Sequence, residues 1–141
     1  MDDTYLFSMR EHLAELHSEL QGLTAIIQQR ELSRYEYRAA ERTLQVLIEA
    51  CIGIAKHWTY VLFKTTPADG YTAFAKLSQH GLEGIHDVQW RKIIGMRNAL
   101  VHDYLNIEPD IIKTLIIQTT YEPLFEFAYK GLLALEQHGL S

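Results

Sequence analysis

Cysteine, proline and glycine are scarce in this chain, and each scarcity excludes a class of protein. Cys51 is the only cysteine among 141 residues, so no disulfide can form within one chain. It lies in an apolar run, and we expect a small buried side chain in a reducing compartment. Three prolines and eight glycines are too few for many short strands and turns. A chain of this length can bury roughly 70% of its surface, so we expect one domain, residues 1–141, without disulfide or metal support.

Signals for export or membrane insertion are also missing from the sequence. No charged-then-apolar segment precedes a small-residue cleavage site near the N-terminus, as an export signal requires. We find no apolar stretch that approaches the roughly 20 residues that a membrane-spanning helix needs. The sequence therefore predicts a cytoplasmic protein with no membrane partner.

Positive charge is in short supply overall. The formal net charge is −5, which counts against nucleic-acid binding because phosphate contacts depend on lysine and arginine. A local positive patch can still exist on an acidic protein. Whether the chain could bind nucleic acid therefore depends on where its arginines and lysines lie.

The seven histidines do not form a metal-binding pattern. His12 and His17 are too far out of phase to share one helix face, and His80 and His86 flank a glycine loop. The sequence has no paired-histidine zinc motif, no cysteine pair and no acidic calcium loop. It also lacks the glycine-rich loops that bind nucleotide phosphates and the nucleophile turn of serine hydrolases. We therefore expect no metal site and no cofactor.

Apolar residues recur at steps of three and four along nearly the whole chain, which is the spacing of amphipathic helices. Ser33 followed by Glu36 has the capping-box pattern of a helix start, Pro109 suits a first helical turn, and Pro123 should kink or interrupt the last helix. No stretch alternates with period two. The sequence predicts an all-α, up-and-down bundle of four to five helices, over about residues 4–31, 34–63, 71–80, 88–101 and 109–136.

The second predicted helix is apolar over more than one stripe. The apolar surface outside the main stripe could pack against a second copy of the chain. Alternatively, the helix could be buried on several sides within a monomer. The pattern alone leaves both open. Gly53 within this helix costs about 1 kcal/mol relative to alanine, and we expect a close helix contact to be the reason for it.

The residues with chemical potential are concentrated between Arg97 and Tyr104. Four different functional groups lie within these eight residues: the guanidinium of Arg97, the amide of Asn98, the imidazole of His102 and the phenol of Tyr104. Because an α-helix turns about 100° per residue, Arg97 and Tyr104 point the same way, whereas Arg97 and His102 diverge by about 140°. Either the helix ends near Val101, or a second chain places its own copy opposite across a two-fold axis.

A cleft that joins these groups would suit RNA. Guanidinium binds phosphate through two parallel hydrogen bonds, and imidazole transfers protons near neutral pH. RNA carries its own nucleophile, the 2′-hydroxyl, so an arginine with a histidine can suffice for cleavage without metal. The structural alternative is that Arg97 pairs with an acid, that Asn98 and His102 cap a helix end, and that Tyr104 is a boundary aromatic.

Arg97, His102 and Tyr104 form an R-x4-H-x-Y pattern that resembles the motif of the HEPN superfamily, in the form typical of HepT toxins. The string Gly95–Asn98 and the segment 41–50 are similar to further family patterns, and the resemblance covers roughly residues 35–112. It implies a HEPN-like helical fold and a homodimer with a composite cleft at the two-fold axis. It also implies a metal-independent endoribonuclease.

The resemblance also implies a role for each residue of the motif. Arg97 would bind and polarise the scissile phosphate, His102 would be the general acid or base, and Asn98 would position phosphate or imidazole. HepT toxins are paired with a nucleotidyltransferase antitoxin, called MNT, that can transfer AMP to the motif tyrosine, here Tyr104. Many relatives have polar or acidic residues where this chain has Gly53 and Lys56, which leaves a contribution from the second helix open.

Two other functions remain open at this point. One is a non-catalytic HEPN binding module that serves as dimeric partner and substrate of a nucleotidyltransferase. The net charge of −5 favours it slightly. The other is a helical bundle with an unrelated structural role, which would be a monomer with Arg97 and His102 in separate polar contacts.

Further basic residues are candidate RNA contacts. Arg34, Arg38 and Arg42 fall at steps of four and would form a stripe along the second helix. Arg91 and Lys92 stand just before the motif and could add positive potential at its mouth. The simpler interpretation of the stripe is a solvated face on which neighbouring glutamates pair with the arginines.

Overall fold

The computed structural model describes residues 3–81, 88–102 and 107–138. Within these ranges the chain forms six helices and no strand, which confirms the all-α prediction. The helices are α1 (Asp3–Ile27), α2 (Arg34–Phe63), α3 (Gly70–Gln79), α4 (Trp90–His102), α5 (Pro109–Ile117) and α6 (Glu122–His138). Helix α2 is central, because α1, α3, α4 and α6 all pack against it. The helix that carries the motif, α4, therefore rests on the core helix.

The start of α2 follows from its local sequence. The backbone N–H of Glu36 donates to the Ser33 hydroxyl at 3.1 Å, and the backbone N–H of Ser33 donates to the Glu36 carboxylate at 2.8 Å. This is the predicted capping box, and it is confirmed. Arg30 forms an ion pair with the same carboxylate at 2.8 Å. Its hydrogen bond and the Ser33 amide lower the pKa of Glu36 to about 2.

Helices α5 and α6 are separate elements where one interrupted helix was expected. Pro123 lies in the first turn of α6, where a proline is tolerated, and Thr119 before it adopts a positive φ of 50°. The turn is attached to α1 by a buried hydroxyl. Thr24 donates to the Ile116 carbonyl at 3.1 Å and lies 2.6 Å from the Tyr121 hydroxyl.

Glycine marks a close helix contact in α6 and not in α2. A Cβ added at Gly53 would meet no atom of another described element within 4 Å, so the expected close contact there is wrong. A Cβ at Gly131 would instead collide with Ile54 Cγ2 and lie 3.3 Å from the Trp58 ring. The close approach between α2 and α6 therefore depends on Gly131.

Cys51 is fully buried on the α6 side of α2. Its thiol donates to the Leu124 carbonyl at 3.4 Å, and burial raises its pKa. The expectation of a small buried side chain is confirmed.

By length and composition alone, α2 could cross a membrane. The expectation that no stretch approaches such a length overlooks this helix, because Glu49 and Lys56 are the only acidic or basic residues other than His57 between Leu44 and Phe63. A core helix passes the same test, and half of the most apolar part of α2 is buried inside the protein.

Candidate functional site

Helix α4 packs antiparallel on α2, which brings the motif beside the middle of the core helix. Later positions on α4 meet earlier positions on α2: Ile94 and Ile52 both lie beside Gly70, Arg97 pairs with Glu49, and Leu100 lines a groove with Arg42. Ile94 and Leu100 are buried and attach α4 to the core. The polar motif residues therefore belong to a helix that is fixed along its length.

Arg97 points toward α2 and pairs with Glu49. Its Nη1 lies 3.7 Å from Glu49 Oε2, and the two side chains are 29% and 40% exposed. This separation is an ion pair and is too long for a hydrogen bond. Within the described residues, Arg97 Nε is buried and has no acceptor. The guanidinium is thus held on one side and retains unused hydrogen-bonding capacity.

Sequence reasoning did not single out Glu49. Its carboxylate also accepts a long hydrogen bond, at 3.5 Å, from the Gln45 amide one turn earlier on α2. The one feature of the sequence that could have identified Glu49 is that it is a single acidic residue within a mainly apolar part of α2. Which motif residue this acid would meet depends on how α4 lies along α2.

His102 is the last residue of α4 and is exposed. Since its backbone is still helical, its side chain leaves α4 about 140° away from that of Arg97. One copy of the chain therefore directs the guanidinium and the imidazole to different sides of the helix. Asn98 is partly buried and lies one turn before His102 on a shared face. Tyr104 lies outside the described residues.

The basic stripe on α2 partly borders the motif. Arg38 and Arg42 line an open groove of about 270 Å³, together with Glu41, Gln45 and Leu100. Arg38 lies 3.9 Å from the Glu41 carboxylate, and burial raises the pKa of Glu41 although Arg38 opposes that shift. The groove thus runs along α2 toward the position of Glu49 and Arg97.

The other basic candidates do not line this groove. Arg34 is exposed at the start of α2. The Arg91 guanidinium lies over the Tyr71 ring of α3, 5.3 Å from its centroid. Lys92 lines a separate, mainly apolar cavity of about 350 Å³ beside α5 and α6. Only Arg38 and Arg42, of these five, line the groove that reaches Leu100.

His17 and His57 both contact side chains of other helices and have a role in packing. His17 Nε2 lies 2.6 Å from Glu122 Oε1, and its ring stacks on Phe125 with centroids 4.1 Å apart. His57 lies edge-on to Tyr5, and burial lowers its pKa. In the part of the chain that the structure describes, no three histidine, cysteine or acidic side chains gather as metal ligands would.

The comparison with protein families gives one result. The family model described as "Ribonuclease HepT-like" matches residues 9–130. This match spans α2 and α4 and includes the whole R-x4-H-x-Y segment. No curated protein and no solved structure matches the chain.

Proposed function

Because the chain belongs to the HepT-like ribonuclease family, we propose that it is the toxin of a toxin–antitoxin pair and cleaves RNA without a metal ion. The observation that carries the proposal is the placement of Arg97: a partly exposed guanidinium that pairs loosely with Glu49, which follows Gln45 by one helical turn, while Gln45 lines a groove with Arg38 and Arg42. This arrangement suits a chain of phosphates.

The proposed active form is a homodimer, because one α4 does not bring Arg97 and His102 to one point. The face of α4 that carries His102 also carries Gly95 and Ala99, and a Cβ at Gly95 would meet no atom of the described residues outside its own helix within 4 Å. Small residues on an uncovered face allow a second helix to approach closely. Because Arg97 points toward α2 and away from this face, the two-fold axis would have to lie near the C-terminal end of α4, where the imidazole of one subunit could reach the guanidinium of the other.

In this dimer the reaction needs two proton transfers and one stabilised phosphate. His102 removes the proton from the RNA 2′-hydroxyl, whose oxygen attacks the adjacent phosphorus. The bond to the 5′-oxygen breaks, that oxygen takes a proton from solvent, and a 2′,3′-cyclic phosphate end remains, after which His102 releases its proton to solvent. Arg97 holds the phosphate and stabilises the charge that develops on it. Asn98 positions the phosphate or the imidazole.

The proposed partner is an MNT-type nucleotidyltransferase antitoxin that attaches AMP to Tyr104. Tyr104 follows Arg97 by seven residues, a spacing that would put the two side chains on one face if helical geometry continued as far as Tyr104. The added phosphates would place negative charge near Arg97, where they would compete with an RNA phosphate. This charge accounts for neutralisation of the toxin.

RNA would approach along the groove on α2. Arg38 and Arg42 would contact its backbone there, and Arg34 would extend the same stripe toward the start of the helix. Arg91 and Lys92 lie on other surfaces. They would not contact the RNA and would attract it only through the electrostatic potential of the whole protein.

A second candidate function is a dimeric binding module that serves as partner and substrate of the transferase without cleaving RNA. Two observations favour it. The net charge is −5, and Glu49 already pairs with Arg97. A complex with the transferase that survives Arg97→Ala, together with no nuclease activity in any preparation, would select this function.

The deciding experiment is cleavage of RNA by purified protein in the presence of EDTA. Arg97→Ala and His102→Ala should each abolish cleavage and leave the circular dichroism spectrum unchanged. His12→Ala, on α1, is a matched control that should cleave normally. Equal cleavage by the two motif variants and the wild type would remove the assigned site. Loss of cleavage in EDTA would contradict metal independence.

A further inference from the structure

Glu49 is the carboxylate that pairs with Arg97 among the described residues, and the R-x4-H-x-Y motif gives it no role. The pair is loose, because Arg97 Nη1 and Glu49 Oε2 are 3.7 Å apart. The same carboxylate oxygen is the acceptor for Gln45 at 3.5 Å. Neither contact is short, so the carboxylate is attached weakly on both sides.

The position of Glu49 places a negative charge on the path proposed for RNA. Gln45 and Arg42 line the groove on α2, and Glu49 follows Gln45 by one helical turn on the same face. A phosphodiester that passes Arg42 toward Arg97 would therefore meet the Glu49 carboxylate. The two anions would compete for one guanidinium.

The phosphate has the advantage in that competition. Glu49 Oε2 lies 3.7 Å from Arg97 Nη1, so the carboxylate takes no hydrogen bond at that distance, and the guanidinium is 29% exposed and open to a second anion. A phosphate presents several oxygens and can take two parallel hydrogen bonds from one guanidinium. The ion pair is partly exposed, and such pairs are weak.

We propose that Glu49 is an internal anion that occupies Arg97 in the unliganded protein and is displaced when an RNA phosphate binds. No bond is made or broken in this exchange, and Glu49 takes no part in proton transfer. Its effect is to weaken the binding of RNA, because every strand must first displace this carboxylate from the guanidinium. The inference rests on the proposed function, because it assumes that RNA reaches Arg97.

The test measures the affinity of the full-length protein for a 2′-O-methyl RNA oligonucleotide, which lacks the nucleophile and cannot be cleaved. Glu49→Gln keeps the shape of the side chain and removes its charge. It should lower the dissociation constant about two- to fivefold, which is the range expected for a partly exposed ion pair. Glu15→Gln, an exposed site on α1, is the matched control for net charge and should bind as the wild type does.

A double variant assigns the effect to Arg97. In the Arg97→Ala background, Glu49→Gln should give no gain in affinity, because the guanidinium for which the anions compete is gone. On cleavable RNA, Glu49→Gln should lower KM and leave kcat unchanged or lower. A purely structural role for Glu49 would predict no tighter binding. If Glu49→Gln fails to fold by circular dichroism, Glu49→Ala should give the same gain.

The outcomes separate this inference from the proposed function. If Glu49→Gln binds RNA no more tightly than the wild type while Arg97→Ala binds more weakly, the competing-anion role is wrong and the RNA site stands. If the wild type and Arg97→Ala bind RNA equally, or neither binds it, the proposed function fails and the role of Glu49 fails with it.

Discussion

Arg97 and His102 belong to one helix and face different sides of it. The Arg97 side chain is turned toward α2 and is 29% exposed, whereas His102 is exposed at the end of α4. A guanidinium and an imidazole can act on the same phosphate only if they converge on it. In the proposed dimer, convergence occurs between subunits, and this gives the proposal a sharp test.

A mixed dimer of two inactive variants should recover activity. A subunit with Arg97→Ala still supplies His102, and a subunit with His102→Ala still supplies Arg97. If the site combines groups from different subunits, the mixed dimer contains one complete site. We expect up to half of the wild-type kcat for each purified mixed dimer, measured after co-expression with two affinity tags.

The control for this experiment is a mixed dimer in which both subunits carry Arg97→Ala with different tags. It should remain inactive. An inactive mixed dimer of the two different variants, with each subunit folded, would show that both groups must come from the same chain.

Arg42→Ala should weaken RNA binding without abolishing cleavage. Removing one phosphate contact should reduce the slope of log K against log salt by about 0.7 for a single strand. The measurement is a salt titration of affinity with the 2′-O-methyl oligonucleotide. Arg10→Ala is the control, because Arg10 lies on α1 and pairs with Glu136. An unchanged slope for Arg42→Ala would place RNA outside this groove.

The two glycines of the α2 region should respond oppositely to alanine. Gly131→Ala should destabilise the protein by about 1–3 kcal/mol, because the new methyl group collides with Ile54 between α2 and α6. Gly53→Ala should stabilise the isolated chain by up to about 1 kcal/mol, because the methyl group meets open space and alanine favours the helix. Urea unfolding at low concentration measures both. Destabilisation by Gly53→Ala that depends on protein concentration would instead locate a subunit contact there.

The Glu36 capping interaction should become weaker in acid. Its folded pKa, about 2, lies below the ordinary value of 4.5, so its stabilising effect is present above pH 4.5 and is lost as the pH falls toward 2. The wild type should therefore be more stable than Glu36→Gln at pH 7, and the difference should shrink between pH 4.5 and pH 2. Thermal unfolding across this range tests it. If the difference in stability between the wild type and Glu36→Gln stayed constant with pH, the negative charge of Glu36 would not contribute to the stability of the folded protein.

Tyr104 should be the site of modification by the proposed antitoxin. Co-expression with a nucleotidyltransferase encoded beside this chain should raise its intact mass by roughly 329 Da for each AMP group. Tyr104→Phe should abolish the increase, while Tyr35→Phe, at an exposed tyrosine of α2, should leave it unchanged. A mass increase that persists in Tyr104→Phe would assign the acceptor to another residue.

Features of the fold that depend on local chemistry could be predicted from the sequence. Ser33 and Glu36 cap α2 as expected, since both partners lie within one turn. Pro109 occupies the first turn of α5 for the same kind of reason. The division between α5 and α6 was less clear, because Pro123 is compatible with a kink, a break or a first turn.

Features that depend on packing could not be predicted in this way. Gly53 and Gly131 look alike in a helical sequence, and only the approach of α6 to α2 shows that Gly131 is the close contact. Glu49 meets Arg97 because of the position of α4 along α2. The motif thus predicted the kind of chemistry from sequence alone. The identity of the carboxylate beside Arg97 could be found only from the tertiary structure.

The burial of Cys51 gives the protein a reporter of its own opening. Its thiol is inaccessible between α2 and α6, and its raised pKa disfavours the reactive thiolate. A thiol reagent can modify it only when those helices separate, so the rate of labelling follows the free energy of that opening. Because Cys51 is the only cysteine, a rigidifying effect of the proposed antitoxin, or of the proposed AMP attachment, would register as slower labelling without any engineered probe.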